Sequence, residues 1–257
     1  MELTTIALLA LAAFLAGFVD SIAGGGGLLA LPALLLAGLD PVSALATNKL
    51  QGSFGTASAA YAFWNKGHIK ILDQVPTIIA TFIAACLGVL AVKYAPKEML
   101  SVALPILLVL ISIYFAFSPR LTNESKKPRI PPQFFAFGIA PALGFYDGIF
   151  GPGTGSFFML ALVTLLGLGL IQATAKTKLL NFTSNIASLL VFAFSGKILW
   201  MVGLIMGAAQ FAGAQLGSRY AMKHGAKIIR PLLVIVCLAM ATKLLLDPSN
   251  PLRAFFP

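Results

Sequence analysis

The chain reads as an all-α polytopic membrane protein of two inverted-topology repeats, with glycine-broken, re-entrant helices and roughly 8–10 membrane segments. Three observations carry that reading. The first is composition: of 257 residues, 59% are hydrophobic and only 10% are charged, and the mean hydropathy is +0.94. A soluble domain carries about 25% charged residues, so this chain cannot coat its own surface with polar groups and the bilayer has to be its solvent. The second is that the apolar residues gather into runs separated by short loops. The third is that the second half of the chain repeats the first.

The run at 4–19 is the first span; Glu2 stands where a signal peptide would carry basic residues, so we expect it to be retained. The stretch FVDSIAGGGGLLALP, residues 18–32, then places an aspartate and four glycines in hydrocarbon. Each glycine costs roughly 1 kcal/mol against alanine in a helix, so the helix is predicted to break there. The run that resumes at 28–39 is too short to cross, which makes it a half-membrane or re-entrant piece. A polar-spotted helix follows near 43–64, starting at Ser43, and then spans at 74–92 and 98–118. The hinge SPRLTNESKKPRIPP, 118–132, separates repeat 1 (1–117) from repeat 2 (133–257) within one membrane domain. Its four Lys/Arg residues place it in the cytoplasm. Repeat 2 holds runs at 133–146, 155–171, 199–217 and 228–246, with a second polar-spotted helix near 174–195.

The duplication comes in three blocks in the same order. Gly17, Phe18, Asp20, Ile22, Gly24 and Gly26 recur as Gly144, Phe145, Asp147, Ile149, Gly151 and Gly153. ATNKLQGSF recurs as AKTKLLNFT, pairing Lys49 with Lys178, and TFIAACLG recurs as QFAGAQLG. The basic loops do not match in the same way. Copy one concentrates Lys66 and Lys70 at 65–72, whereas copy two has only Lys197 in the equivalent loop and gathers Arg219, Lys223, Lys227 and Arg230 at 219–230. Basic residues favour the cytoplasmic side, so the swap predicts that the copies insert in opposite senses. With an odd number of crossings in each, both chain ends face outside.

Inverted repeats are a common plan of secondary transporters, which hold substrate near the midplane between broken helices. Each glycine break restarts as a helix N-terminus, with unpaired N–H groups and about +0.5 charge aimed at an anion. This singles out Gly25, Gly26 and Gly27 in the first break, and Gly153 and Thr154 in the second. Lys49 and Lys178 lie inside their helices. Asn48, Gln51 and Ser53 accompany Lys49, and Asn181 and Asn185 accompany Lys178. Two related ammonium groups among amides and hydroxyls make an anion site; the alternative is that the lysines snorkel to the interface. Asp20 and Asp147 have three candidate roles: counter-ions to the lysines, protonatable coupling groups, or helix caps.

These motifs together resemble the TauE/SafE sulfite-exporter family of anion permeases, in particular its YfcA-type members. The resemblance rests on GFVDSIAGGGGLLALPALL, DPVSALATNKLQGSFG, GFYDGIFGPGTGSF and KLLNFTSNIASL, and it covers nearly the whole chain. It implies a multi-pass permease of the bacterial inner membrane for small sulfur-containing anions such as sulfite, sulfoacetate or related sulfonates. It also carries over both glycine motifs and the Asn48–Lys49 and Lys178–Asn181 stretches as site residues. Pro152 and Thr154 stand where the first break has glycines, so the half-sites are expected to be unequal.

The expected mechanism is alternating access coupled to protons or the membrane potential, with an anion channel on the same scaffold as the alternative. No phosphate-binding loop, HExxH, GxSxG or Cys–His pair is present, so no enzyme, cofactor or metal site is predicted. Cys86 and Cys237 lie in apolar spans, and His68 and His224 in basic loops. The expected partners are a small anionic substrate and the lipid bilayer, with no nucleic acid; a homo-oligomer is left open.

Overall fold

The computed structural model describes residues 1–117, 124–224 and 242. The run at 228–246 apart from residue 242, with Cys237, the basic residues Lys227 and Arg230, the C-terminus and the first part of the hinge (118–123) lie outside the described residues. Within them the chain is all-helical. Helix α1 (Leu3–Ala23) and helix α2 (Gly27–Leu36) flank the first glycine break. Helix α3 (Pro41–Asn65) starts two residues before the expected Ser43. Pro41 fits the first helical turn, where no N–H is needed, and Asp40 caps it by accepting from the Ser43 N–H at 3.2 Å. A 3₁₀ turn (Leu72–Gln74) leads into α4 (Val75–Tyr94), followed by α5 (Lys97–Phe117).

The second copy opens with α6 (Pro132–Phe134), a π turn (Phe135–Ile139) and α7 (Ala140–Ile149) as one continuous helical run. Pro141 cannot donate to the preceding turn and its ring crowds the carbonyl there, so the helix widens just before it. After the second break come α8 (Thr154–Thr164), α9 (Leu170–Ala193) and α10 (Trp200–His224).

Packing exchanges the two copies. The first helix of each copy lies on the fourth helix of the other: α1 on α10, and α7 on α4. The lysine helices follow the same rule, with α3 against α10 and α9 against α4, and they meet each other at the centre. The close approaches repeat as well. A Cβ on Gly88 would stand 2.2 Å from the Phe145 carbonyl oxygen, and one on Gly217, its equivalent, 2.3 Å from that of Phe18.

Two described helical stretches, Leu3–Ile22 and Leu72–Tyr94, are long and apolar enough to cross a bilayer. Their exposed leucines and isoleucines, Leu8, Leu11 and Leu15 on α1 and Ile79, Ile83, Leu87 and Leu90 on α4, recur every three or four residues as an outward apolar stripe. Helices α2 and α8 have ten and eleven residues, so at 1.5 Å per residue each reaches about half of the ~30 Å hydrocarbon core. The end of α8 returns to the linker that precedes α6. Lys126 N–H donates to Gly167 O at 2.7 Å, Arg129 N–H to Leu165 O at 2.8 Å, and Gly169 N–H to Ser125 Oγ at 3.2 Å. The hairpin of α6–α7 and α8 therefore begins and ends on one side of the molecule.

Candidate functional site

The two breaks meet in the middle of the fold. Helix α1 ends at Gly24, whose φ of 79° lets its N–H turn back to Asp20 O. A Cβ there would lie 2.5 Å from the Gly155 carbonyl carbon, so glycine is required by both conformation and space. The Asp20 carboxylate then reaches across the break: its Oδ1 accepts the Gly26 N–H at 3.1 Å, just ahead of the first residue of α2. The second break is built differently. Gly151 and Gly153 both have positive φ, 89° and 80°. Thr154 Oγ1 donates to Gly151 O at 2.8 Å, and the Tyr146 hydroxyl donates to Pro152 O at 2.6 Å. Gly25 and Gly27 remain at the first break, with Gly27 facing Pro152.

Each break receives the lysine of the other copy. Lys49 Nζ on α3 lies 2.9 Å from Asp147 Oδ2 and donates to the main-chain carbonyl of Asp147. Lys178 Nζ on α9 lies 2.8 Å from Asp20 Oδ2 and donates both to that oxygen and to the main-chain carbonyl of Asp20. The aspartates are thus counter-ions in a crossed arrangement, and Asp20 is also a cap. Snorkelling is excluded: Lys49 is 1% exposed and Lys178 0%. Eight residues into α3, Lys49 sits about 12 Å along the helix axis. Each ammonium also stands at a helix C-terminus, Lys178 at that of α1 and Lys49 at that of α7, where backbone carbonyls accumulate negative charge. Neither α1 nor α7 has a basic residue of its own in its last turn, so the partner copy supplies it.

The amides distribute unevenly around these pairs. On α9, Asn185 Nδ2 donates to Asn181 O at 2.9 Å, and Asn181 Nδ2 lies 3.1 Å from where Gly155 would carry a Cβ. Asn185 Oδ1 crosses to α3, 3.3 Å from the Cβ position of Gly52, one turn beyond Lys49. Asn181 and Asn185 therefore join both lysine helices to the second break. Ser53 is tied to its own helix through Lys49 O. Gln51 donates to Asn48 Oδ1 at 2.8 Å; two residues on from Lys49, it lies about 200° round the helix and does not share the side of the ammonium.

Residues passed over in the sequence complete the centre. Gln210 on α10 packs against Gly17 and Gly55, and Thr81 on α4 packs against Gly144. Both are buried, with Gln210 Oε1 and Thr81 Oγ1 lacking a hydrogen-bond partner. They open the third repeated block at matching positions, but they differ in type, so a search for identities skips them.

The profile of the family described as Sulfite exporter TauE/SafE matches residues 9–244, which takes in both breaks and both lysine helices. The chain belongs to the TauE/SafE family. A probable membrane transporter protein, ORF9, of a Sinorhizobium species is 52% identical over 96% of this chain and 95% of its own length. The probable membrane transporter protein YfcA of Escherichia coli K12 is 48% identical over 91% of this chain and 87% of its own. A probable membrane transporter protein of Haemophilus influenzae is 43% identical over 94% and 95%. No solved structure matches the chain. As a TauE/SafE protein it is a probable membrane transporter, not an enzyme, and the crossed Lys–Asp pairs lie within the region that defines the family.

Proposed function

We propose that this protein is a multi-pass secondary transporter of the bacterial inner membrane that moves a small sulfur-containing oxyanion, sulfite or an organosulfonate such as sulfoacetate, by alternating access. The observation that supports it is the pair of crossed, buried Lys–Asp contacts at two touching helix breaks. Each aspartate balances the charge of its lysine. An incoming oxyanion offers the same kind of acceptor oxygens and competes for the ammonium, while Asn181 and Asn185 supply uncharged donors beside it. A carrier whose empty site is neutral moves net charge when it carries a monoanion, worth about 2.3 kcal/mol per 100 mV, unless a proton travels with it.

The inverted repeat gives the two accessible states. Exchange of equivalent contacts between the copies would turn an outward-open site into an inward-open one around the same central pairs. A near-complete seal over the lysines favours a carrier over a channel. The reading is tested with purified protein, first by thermal shift with sulfite, sulfate, thiosulfate, sulfoacetate and taurine, since a ligand of the native state raises its apparent stability. Flux of the stabilising anion into proteoliposomes should then saturate and respond to an imposed potential or pH gradient. Stabilisation by none of these anions sinks the substrate class; flux that rises without saturation sinks the carrier.

A further inference from the structure

We infer that the two half-sites have divided their tasks: the first break is a fixed structural cap, and the substrate exchanges only at the second, where its oxyanion replaces the Asp147 carboxylate on Lys49. This rests on the anion-transport reading above and adds which of two sequence-equivalent carboxylates gives way. Both oxygens of Asp20 are held. Oδ2 accepts from Lys178 Nζ at 2.8 Å and Oδ1 from the Gly26 N–H at 3.1 Å, so displacing Asp20 would also uncap α2. Asp147 has fewer partners. Its Oδ2 pairs with Lys49 Nζ at 2.9 Å, and among the described residues no backbone N–H donates to its carboxylate.

The local backbone explains the difference. Gly26 adopts helical angles with φ −57°, which aims its N–H back at Asp20, whereas the equivalent Gly153 sits at φ 80°. Thr154 turns its hydroxyl to Gly151 O instead. What remains at the second break suits an incoming anion. Lys49 Nζ lies 3.2 Å from where Gly151 would carry a Cβ, so the ammonium rests against bare backbone. Lys49 keeps its bond to the main-chain carbonyl of Asp147, which anchors it while the carboxylate swings away.

The test is infrared difference spectroscopy of the full chain carrying ¹³C-labelled aspartate, with and without sodium sulfite, alongside thermal shift with the same salt. Sulfite should raise the melting temperature and perturb one labelled carboxylate band. That band change should vanish in Asp147→Asn and persist in Asp20→Asn. If Asp147→Asn does not fold, Asp147→Glu keeps the charge but carries no label, and the change should then move to the unlabelled carboxylate frequency. A melting shift with no carboxylate change overturns the inference, and so does a change that survives Asp147→Asn or is lost in Asp20→Asn. No melting shift with sulfite, thiosulfate or sulfoacetate removes the anion reading itself, a separate outcome.

Discussion

Lys49 and Lys178 are among the largest fully buried side chains of the described residues, each a long charged group closed inside an apolar fold with one carboxylate beside it. Such a pair adds little net stability, but removing one partner strands the other and costs about 3–5 kcal/mol. Lys49→Met should therefore lower the melting temperature steeply. Adding Asp147→Asn should recover much of the loss, whereas adding Asp20→Asn should not; thermal unfolding in detergent measures both. Equal rescue by the two would refute the crossed pairing. The glycines permit a similar separation of causes. Gly38→Ala has a positive φ of 88° and nothing nearby, so it should cost only the left-handed strain of about 1–2 kcal/mol. Gly24→Ala adds a collision with the Gly155 backbone and should prevent accumulation of folded protein. Comparable melting temperatures for the two variants would show that the breaks do not touch.

Among the elements, the decisive contacts are those by which a first helix lies on the other copy's fourth. Backbone approaches this close exist only where both surfaces are small, the usual basis of helix association in lipid. Gly88→Ala and Gly217→Ala place a methyl group at matching points, 2.2 and 2.3 Å from carbonyl oxygens of α7 and α1. We expect both to reduce stability by similar amounts, and a neutral effect at either would show that the exchange of contacts is not equivalent. The half-length helices α2 and α8 need partners all round, because their break-end amides and carbonyls lie at membrane depth. Asp20, Thr154 and Tyr146 supply several of those partners through Gly26, Gly151 and Pro152.

For the whole molecule, the return of α8 to the linker brings both arms of the second break back to one side. Lys66 and Lys197 are both exposed in equivalent loops, and opposite insertion of the two copies predicts that they face opposite sides of the membrane. In a background with Cys86 and Cys237 replaced by serine, Lys197→Cys should react with a membrane-impermeant thiol reagent in intact cells. Lys66→Cys should react only after permeabilisation. Labelling of both from one side would sink the inverted topology.

The amino-acid sequence by itself determined the solvent, the two helix breaks and the likeness of the two halves. These depend on local composition: a chain with so few charges must lie in lipid, and the glycine clusters at 24–27 and 151–153 interrupt helices. It also marked Asp20, Asp147, Lys49 and Lys178 by their cost in hydrocarbon. It could not say which aspartate meets which lysine, since either pairing satisfies charge balance, and it left snorkelling as an alternative. Only the tertiary structure decided that the pairs cross between copies, because that follows from α1 packing on α10 and α7 on α4. The structure alone also placed Gln210 and Thr81 at the centre and gave Asp20 a backbone N–H that Asp147 lacks. The last difference arises from the opposite backbone angles of Gly26 and Gly153, and sequence patterning does not encode which way a glycine turns.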